Sequence, residues 1–162
     1  MEHDAPMGHD GLARHDAIVD GAIRKVPDFP KPGILFYDLT SLLATPDAFA
    51  YTVDRMEEIY RDEPLDAVAA IEARGFLLAA PFALRKHLPL VLLRKKGKLP
   101  RTVRSREFQL EYGTDRIEVH QDDVPRGGRV LVVDDLIATG GTVEAACELI
   151  EEVGASVAGV FA

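Results

Sequence analysis

Residues 130–150, VLVVDDLIATGGTVEAACELI, decide how this chain is read. The stretch opens as an apolar run of the kind that fills a buried strand. It stops on two adjacent carboxylates, Asp134 and Asp135, passes Ala138-Thr139-Gly140-Gly141-Thr142, and resumes with helical spacing. Glycines let successive backbone N–H groups turn toward one point, the threonines add hydroxyl donors, and the following helix contributes the positive end of its dipole. Such a loop can seat a terminal phosphate. A bare TGGT is more often an ordinary tight turn with a threonine cap, so the loop does not decide alone. It is neither a Walker loop, which ends in Gly-Lys-Ser/Thr, nor the dinucleotide fingerprint.

The acid pair narrows the choice. Two carboxylates closing an apolar strand suit a Mg²⁺ site, a receiver-type phosphoacceptor pocket, or the hydroxyls of a sugar. A receiver carries this strand near its start, whereas only 27 residues follow Asp135 here. A sugar phosphate fits both ends: the acids accept from ring hydroxyls and the glycine loop holds the phosphate.

Working outward, the apolar runs alternate. Residues 66–71 (DAVAAI) read as a buried strand, 75–87 (GFLLAAPFALRKH) as a helix with Pro81 kinking it or starting it anew, and 89–94 (PLVLLR) as a strand. Residues 108–120 (FQLEYGTDRIEVH) carry two β-like runs about a glycine turn, a hairpin pattern. A helix ended by Gly154 and a last strand, SVAGVFA, close the sequence. Near the start, Ile18, Val19, Ala22, Ile23 and Val26 fall on one helical face, and Pro27, Pro30, Pro32 and Gly33 end that helix in a stiff loop. ILFYDLT then reads as a short extended piece. Thr45-Pro46 suits a helix start with Thr45 as cap, and Phe49, Val53, Met56 and either Ile59 or Tyr60 line one face. Residues 1–11 read as a flexible tail and 12–162 as one domain. The alternation predicts an α/β fold, a mostly parallel sheet flanked by helices. Ligands of such sheets bind outside the carboxyl ends of the strands, so the loops at 72–75, after Leu93 and at 134–142 are expected to converge.

The charge is uneven. Residues 94–106, RKKGKLPRTVRSR, hold seven basic side chains and no acid, leaving 12 basic against 27 acidic residues, a net of -15, in the rest of the chain. An island of this kind reads as a site for a compact polyanion. It has no aromatic residues to stack bases and sits in an acidic protein, which disfavours nucleic acid. The single cysteine, Cys147, allows no internal disulfide and is consistent with a reducing cytoplasm. No apolar run approaches a membrane span, and the start has no signal-peptide pattern.

VLVVDDLIATGGT resembles the phosphoribosyl pyrophosphate signature of type I phosphoribosyltransferases, matching strand, acid pair and loop in order. FPKPGILFYDLTSLL, EARGF, RKKGKLP and LEYGTD occur in the order seen in adenine phosphoribosyltransferases. The resemblance runs from about Ile23 to the end of the sequence. It implies a type I phosphoribosyltransferase-like fold, with a small N-terminal hood within residues 12–45 and a flexible hairpin lid over residues 99–115. It also implies the reaction of adenine with phosphoribosyl pyrophosphate to give AMP and pyrophosphate, with Mg²⁺ as cofactor, held mainly by substrate and without direct protein ligands. A cytoplasmic homodimer is expected.

The resemblance carries site residues with it. Asp134, Asp135, Ala138, Thr139, Gly140, Gly141 and Thr142 are expected to hold the ribose and its 5′-phosphate. Glu72, Ala73, Arg74 and Gly75 are expected to bind pyrophosphate, joined by Arg94, Lys95 and Lys98, with Arg74 also acting in catalysis. The remaining island cations, Lys96, Arg101, Arg104 and Arg106, are expected to face solvent or a partner. Glu111 is the expected proton-transfer group, and Tyr112 is its neighbour in the lid. Leu35 and Phe36, beside Ile34, are expected to hold adenine. One position departs from the pattern: Tyr37 stands where the family usually has arginine. Family members usually run on past the last strand, and with all three loops present the chemistry is expected to survive without that segment. Two other readings are a phosphoribosyltransferase for a 6-oxopurine and a non-catalytic sensor of phosphoribosyl pyrophosphate. The N-terminal stretch has no room for a winged helix, which disfavours the sensor.

Overall fold

The computed structural model describes residues 17–109 and 113–162, in two compact units divided after Arg55. In the first unit, residues 17–22 are helical. β1 (Arg24–Pro27) and β2 (Leu35–Asp38) then pair antiparallel, Val26 opposite Phe36 and Lys25 opposite Tyr37. The helix expected to run to Val26 therefore stops short. Val26 fits a helical face and a strand face equally well, and pairing with a segment ten residues away decides for the strand. Phe29, in the turn between the strands, meets Phe36 edge-on at 5.1 Å. The short helix α1 (Leu39–Leu43) is capped by Asp38, whose carboxylate accepts from Thr40 N at 2.9 Å.

Helix α2 (Pro46–Ile59) carries the chain across the division at Arg55. Proline occupies its first position as expected. The Thr45 hydroxyl does not cap it but donates back to Ser41 O at 2.9 Å. Its buried face holds Ala48, Thr52, Val53 and Met56 and continues to Tyr60, while Ile59 is half exposed.

The second unit is built on a six-stranded sheet. Its strands are β3 (Ala67–Ile71), β4 (Leu90–Lys95), β5 (Val103–Gln109), β6 (Thr114–His120), β7 (Arg129–Val133) and β8 (Ser156–Phe161), in the order β5-β6-β4-β3-β7-β8. β4, β3, β7 and β8 run parallel, and the β5–β6 hairpin adds to β4 antiparallel. Helix α4 (Gly141–Glu152) presents Ala145, Ala146, Leu149 and Ile150 to one face, against Ala69, Val91, Leu93, Ile117 and Val132. Helix α3 (Gly75–Lys86), with Leu78, Ala79, Phe82 and Ala83 buried, packs on β3, β4 and β7. It continues through Pro81 as one helix. Burial on both faces explains the near-continuous apolar strands.

Half of the basic island is strand rather than loop. Arg94 and Lys95 end β4, while Arg104 and Arg106 lie on β5. Three of its four arginines, those beyond β4, pair with residues around the hairpin. Arg101 forks onto Asp123 at 2.8 and 2.9 Å, Arg104 Nε donates to Gln121 at 2.9 Å, and Arg106 pairs with both Glu148 and Glu152 on α4. These pairs tie the hairpin to its surroundings, while Arg101 and Arg104 remain exposed and Arg106 half-buried. Among the described residues no helix is long and apolar enough to cross a membrane.

Candidate active site

The parallel strands β3, β4 and β7 end together, and the three loops leaving them converge as the alternation predicts. They line a cavity of about 570 Å³. Glu72, Ala73 and Arg74 come from the first loop, Arg94 and Lys95 from the second, and Asp134, Asp135, Ala138 and Thr142 from the third. Thr139 and Gly140 line a smaller adjoining cavity together with Asp134, Ala138 and Thr142.

The first loop crosses directly over the end of β7. The Glu72–Ala73 peptide is cis. Gly75 opens α3, and a Cβ there would lie 2.7 Å from Val133 O and 3.1 Å from Asp134 Cα, so only glycine permits this approach. The approach brings Arg74 Nε to 2.8 Å from Asp135 Oδ2. The side chain is 45% exposed, and a guanidinium has five N–H donors, more than one carboxylate can take, so donors stay available to a ligand.

Asp134 lies beneath, 9% exposed, and its Oδ1 accepts from Asp135 N at 2.8 Å. Burial pushes its carboxyl up to about 6, and the neighbouring Asp135 side chain adds to the rise. The Asp135 N–H and the Arg74 guanidinium pull in the other direction. The two acids therefore have different characters: Asp135 is held by an ion pair, and Asp134 is a desolvated acceptor.

Gly140 precedes α4 with φ 87, and no side chain caps the helix. Its first N–H groups thus have no side-chain acceptor and point out of the N-terminus, the arrangement that takes an anion. Gly141 is the first residue of α4, and Gln109 O passes 3.3 Å from where its Cβ would be.

In the second loop, Arg94 Nε and Lys95 N both donate to Glu72 Oε2 at 2.9 Å. Lys95 Nζ pairs with Asp115 at 3.3 Å. Lys98 does not line the cavity; its N–H donates to Lys95 O, and its carbonyl accepts from Arg94 Nη1. Leu35 and Phe36 lie on β2 of the first unit, Leu35 48% exposed and Phe36 half-buried. Tyr37 is 49% exposed, with Lys25 Nζ 5.9 Å from its ring centre. Glu111 and Tyr112 fall outside the described residues.

Phe108, Asp115 and Arg116 line the cavity without having been singled out in the sequence. Their place follows from the register of β6 against β4 and β5, with Lys95 opposite Ile117 and Phe108 opposite Asp115. The only local signal was the glycine turn of the hairpin.

This architecture has close relatives. The phosphoribosyl transferase domain family matches residues 38–162. An adenine phosphoribosyltransferase of Treponema denticola is 58% identical over 144 residues, covering 89% of this chain and 76% of that one. One from Rhodospirillum rubrum is 55% identical over 137 residues, covering 85% and 80%. Among solved structures, the adenine phosphoribosyltransferase of Thermoanaerobacter pseudethanolicus superposes with a TM-score of 0.83 at 46% identity, covering 88% of this chain and 83% of that one. That of Saccharomyces cerevisiae, complexed with D-2,5-dideoxy-2,5-imino-altritol 1,6-bisphosphate and adenine, gives 0.83 at 33% identity, covering 92% and 90%. With the acid pair, the glycine loop and the arginine loop all in one cavity, the chain belongs to the phosphoribosyltransferase family, among the adenine phosphoribosyltransferases.

Proposed function

We propose that this chain is a purine salvage enzyme that transfers the 5-phosphoribosyl group of phosphoribosyl pyrophosphate to adenine, giving AMP and pyrophosphate. The observation that carries the reading is the cavity itself. A desolvated acid, an uncapped helix N-terminus and a cluster of cations sit within one cavity whose size suits a sugar bisphosphate.

Asp134 and Asp135 accept from the ribose hydroxyls, and Ala138, Thr139, Gly140, Gly141 and Thr142 hold the 5′-phosphate at the start of α4. Arg74, Arg94 and Lys95, with the backbone of Glu72, Ala73 and Gly75, take the pyrophosphate, and Lys98 adds positive charge from the turn beside the cavity. In the reaction the bond from C1 of the ribose to the pyrophosphate oxygen breaks, and the oxygen keeps the electron pair. Positive charge placed there beforehand lowers the barrier. A purine ring nitrogen bonds to C1 and gives up its proton, which Glu111 accepts. The ribosyl centre carries positive charge on the way, so water must be kept out, a role for the lid expected over residues 99–115, whose sequence includes Tyr112. Leu35 and Phe36 supply an apolar surface for adenine.

The family implies magnesium. Among the described residues no group of three or more His, Cys, Asp or Glu side chains is placed to hold a metal, and Asp135 is already paired with Arg74. The cations and the desolvated acid of the cavity suit a substrate that brings the ion with it, and Arg74, Lys95 and Asp134 would hold that complex. When bound, the ion neutralises charge on the leaving group. A cytoplasmic homodimer completes the proposal, supported by family membership.

The test is pyrophosphate release, with and without Mg²⁺, from parallel reactions with adenine, hypoxanthine, guanine, xanthine and orotate. Release with adenine and Mg²⁺ alone is expected. Release with a 6-oxopurine instead would reassign the base. Tight binding of phosphoribosyl pyrophosphate without release from any base would make the chain a sensor.

Asp134 sets a pH dependence in opposite directions for activity and stability. Accepting a hydroxyl hydrogen needs the carboxylate, so kcat/KM for phosphoribosyl pyrophosphate falls as pH drops through about 6. Folding raises the carboxyl from 3.8 to about 6, so between those values the folded chain holds a proton that the unfolded chain has lost. The group's contribution to stability therefore declines as pH rises across that window and is constant above it. Asp134→Asn should remove both trends. A wild-type kcat/KM profile flat from about pH 5 to about pH 8 would exclude the role.

A further inference from the structure

The turn that carries the second loop's cations is held by two carboxylates from two different elements. Lys98 N donates to Lys95 O at 3.2 Å, and Gly97, at φ 76, supplies the left-handed residue that closes the turn. Glu72, after β3, accepts from Arg94 Nε and Lys95 N. Glu118, on β6, accepts from Gly97 N at 2.9 Å. Arg94 Nη1 ties the far end by donating to Lys98 O at 3.3 Å.

Glu118 is the unexpected member. It is 6% exposed in the middle of a strand, directly across from Arg94 in the register. Its neighbours Ile117 and Val119 point into the apolar core, so Glu118 points to the opposite face. Burying a carboxylate in a sheet is a poor way to stabilise it, and an apolar residue of similar size would do so better. What the carboxylate provides instead is a fixed acceptor beneath a turn bearing Lys95, Lys96 and Lys98. It also places negative charge against cations that repel one another.

One consequence separates this loop from the glycine loop. The N–H groups of Lys95, Gly97 and Lys98 are all occupied within the chain. These three groups cannot join a backbone nest for an anion, so the loop's main means of binding one is its side chains, whose positions depend on the turn.

We propose that Glu118 is a positioning residue for pyrophosphate binding: it fixes the Lys95–Lys98 turn so that Lys95 faces the cavity. The proposal rests on the reading of the cavity as a phosphoribosyltransferase site. It assigns Glu118 no contact with substrate.

The experiment compares wild type with Glu118→Gln, which keeps an acceptor for Gly97 N, and Glu118→Leu, which removes it. Magnesium pyrophosphate binding is measured by calorimetry, alongside KM and kcat for both substrates and thermal melting. Glu118→Leu should weaken pyrophosphate binding and raise KM for phosphoribosyl pyrophosphate about tenfold, the loss of about one positioned contact. Its kcat and its KM for adenine should stay within about threefold, and its melting temperature should hold or rise. Glu118→Gln should stay within about twofold of wild type throughout. If the leucine variant does not fold, Glu118→Val, with a better strand former, takes its place. Wild-type pyrophosphate affinity in the leucine variant overturns the proposal, as does a glutamine variant as impaired as leucine. If the wild type releases no pyrophosphate with adenine but leucine still weakens pyrophosphate binding, the assigned reaction fails and the positioning role stands. If the wild type binds no pyrophosphate, both fall.

Discussion

Gly75→Ala is expected to lower kcat/KM by about 100-fold or more while leaving the sheet folded. The new methyl would lie 2.7 Å from Val133 O and 3.1 Å from Asp134 Cα, both backbone atoms. Neither can yield easily. Val133 is in register with Ala70 on one side and Phe161 on the other, and Asp134 N is bonded to Phe161 O at 3.0 Å. The loop must move instead, carrying Arg74 away from Asp135, and a displacement of about 1 Å at a reacting site is enough for a loss of this size. The strain should also lower stability by about 1–3 kcal/mol, read from the urea midpoint. An alanine variant with normal kinetics would mean that the two loops do not need this contact.

The second large effect comes from the acid pair. Asp134→Asn together with Asp135→Asn should reduce turnover by about a thousandfold and raise KM for phosphoribosyl pyrophosphate, because both acceptors for the ribose hydroxyls become neutral amides. The single variants should differ in stability. Asp134→Asn removes a desolvated charge and should stabilise the fold above pH 6 by roughly 1 kcal/mol, discounted for the solvent that reaches the open side of the cavity. Asp135→Asn removes the carboxylate that pairs with Arg74 at 2.8 Å and should not stabilise. A more stable but inactive Asp134→Asn is the pattern expected where function holds a group in an unfavourable place. Near-normal kinetics in the double variant would reject the ribose role.

What could be read from the sequence was what lies contiguous in it. The strand, acids, glycine loop and helix of residues 130–150 form one unbroken segment, and their order pointed to a strand end with a ligand beside it. The convergence of the three loops followed from alternation and from the rule that ligands bind beyond the carboxyl ends of parallel strands, without any pairwise contact being known. Phe108, Asp115 and Glu118 could not be found this way. Each matters because of what stands opposite it in the sheet, and a hairpin's register against a distant strand leaves no local trace. Arg24–Pro27 was misread for the same reason, since a few apolar residues fit either period until a partner strand is known. The partners of Arg101, Arg104 and Arg106 were also invisible: Glu148 and Glu152 lie more than forty positions from Arg106.

The pairing within the cavity has a consequence for selectivity. Arg74 is matched with Asp135, Arg94 with Glu72 and Lys95 with Asp115, so each of these cations already has a counterion from the chain. The cavity resembles a loaded ion exchanger rather than a bare positive well. At these three cations chloride or inorganic phosphate competes with a carboxylate already in place, and it offers that carboxylate nothing in return. A ligand bearing phosphates and hydroxyls together can satisfy both halves of a separated pair, the phosphates taking the cation and the hydroxyls the acid. At these cations, discrimination against simple anions is thus a matter of exchange stoichiometry.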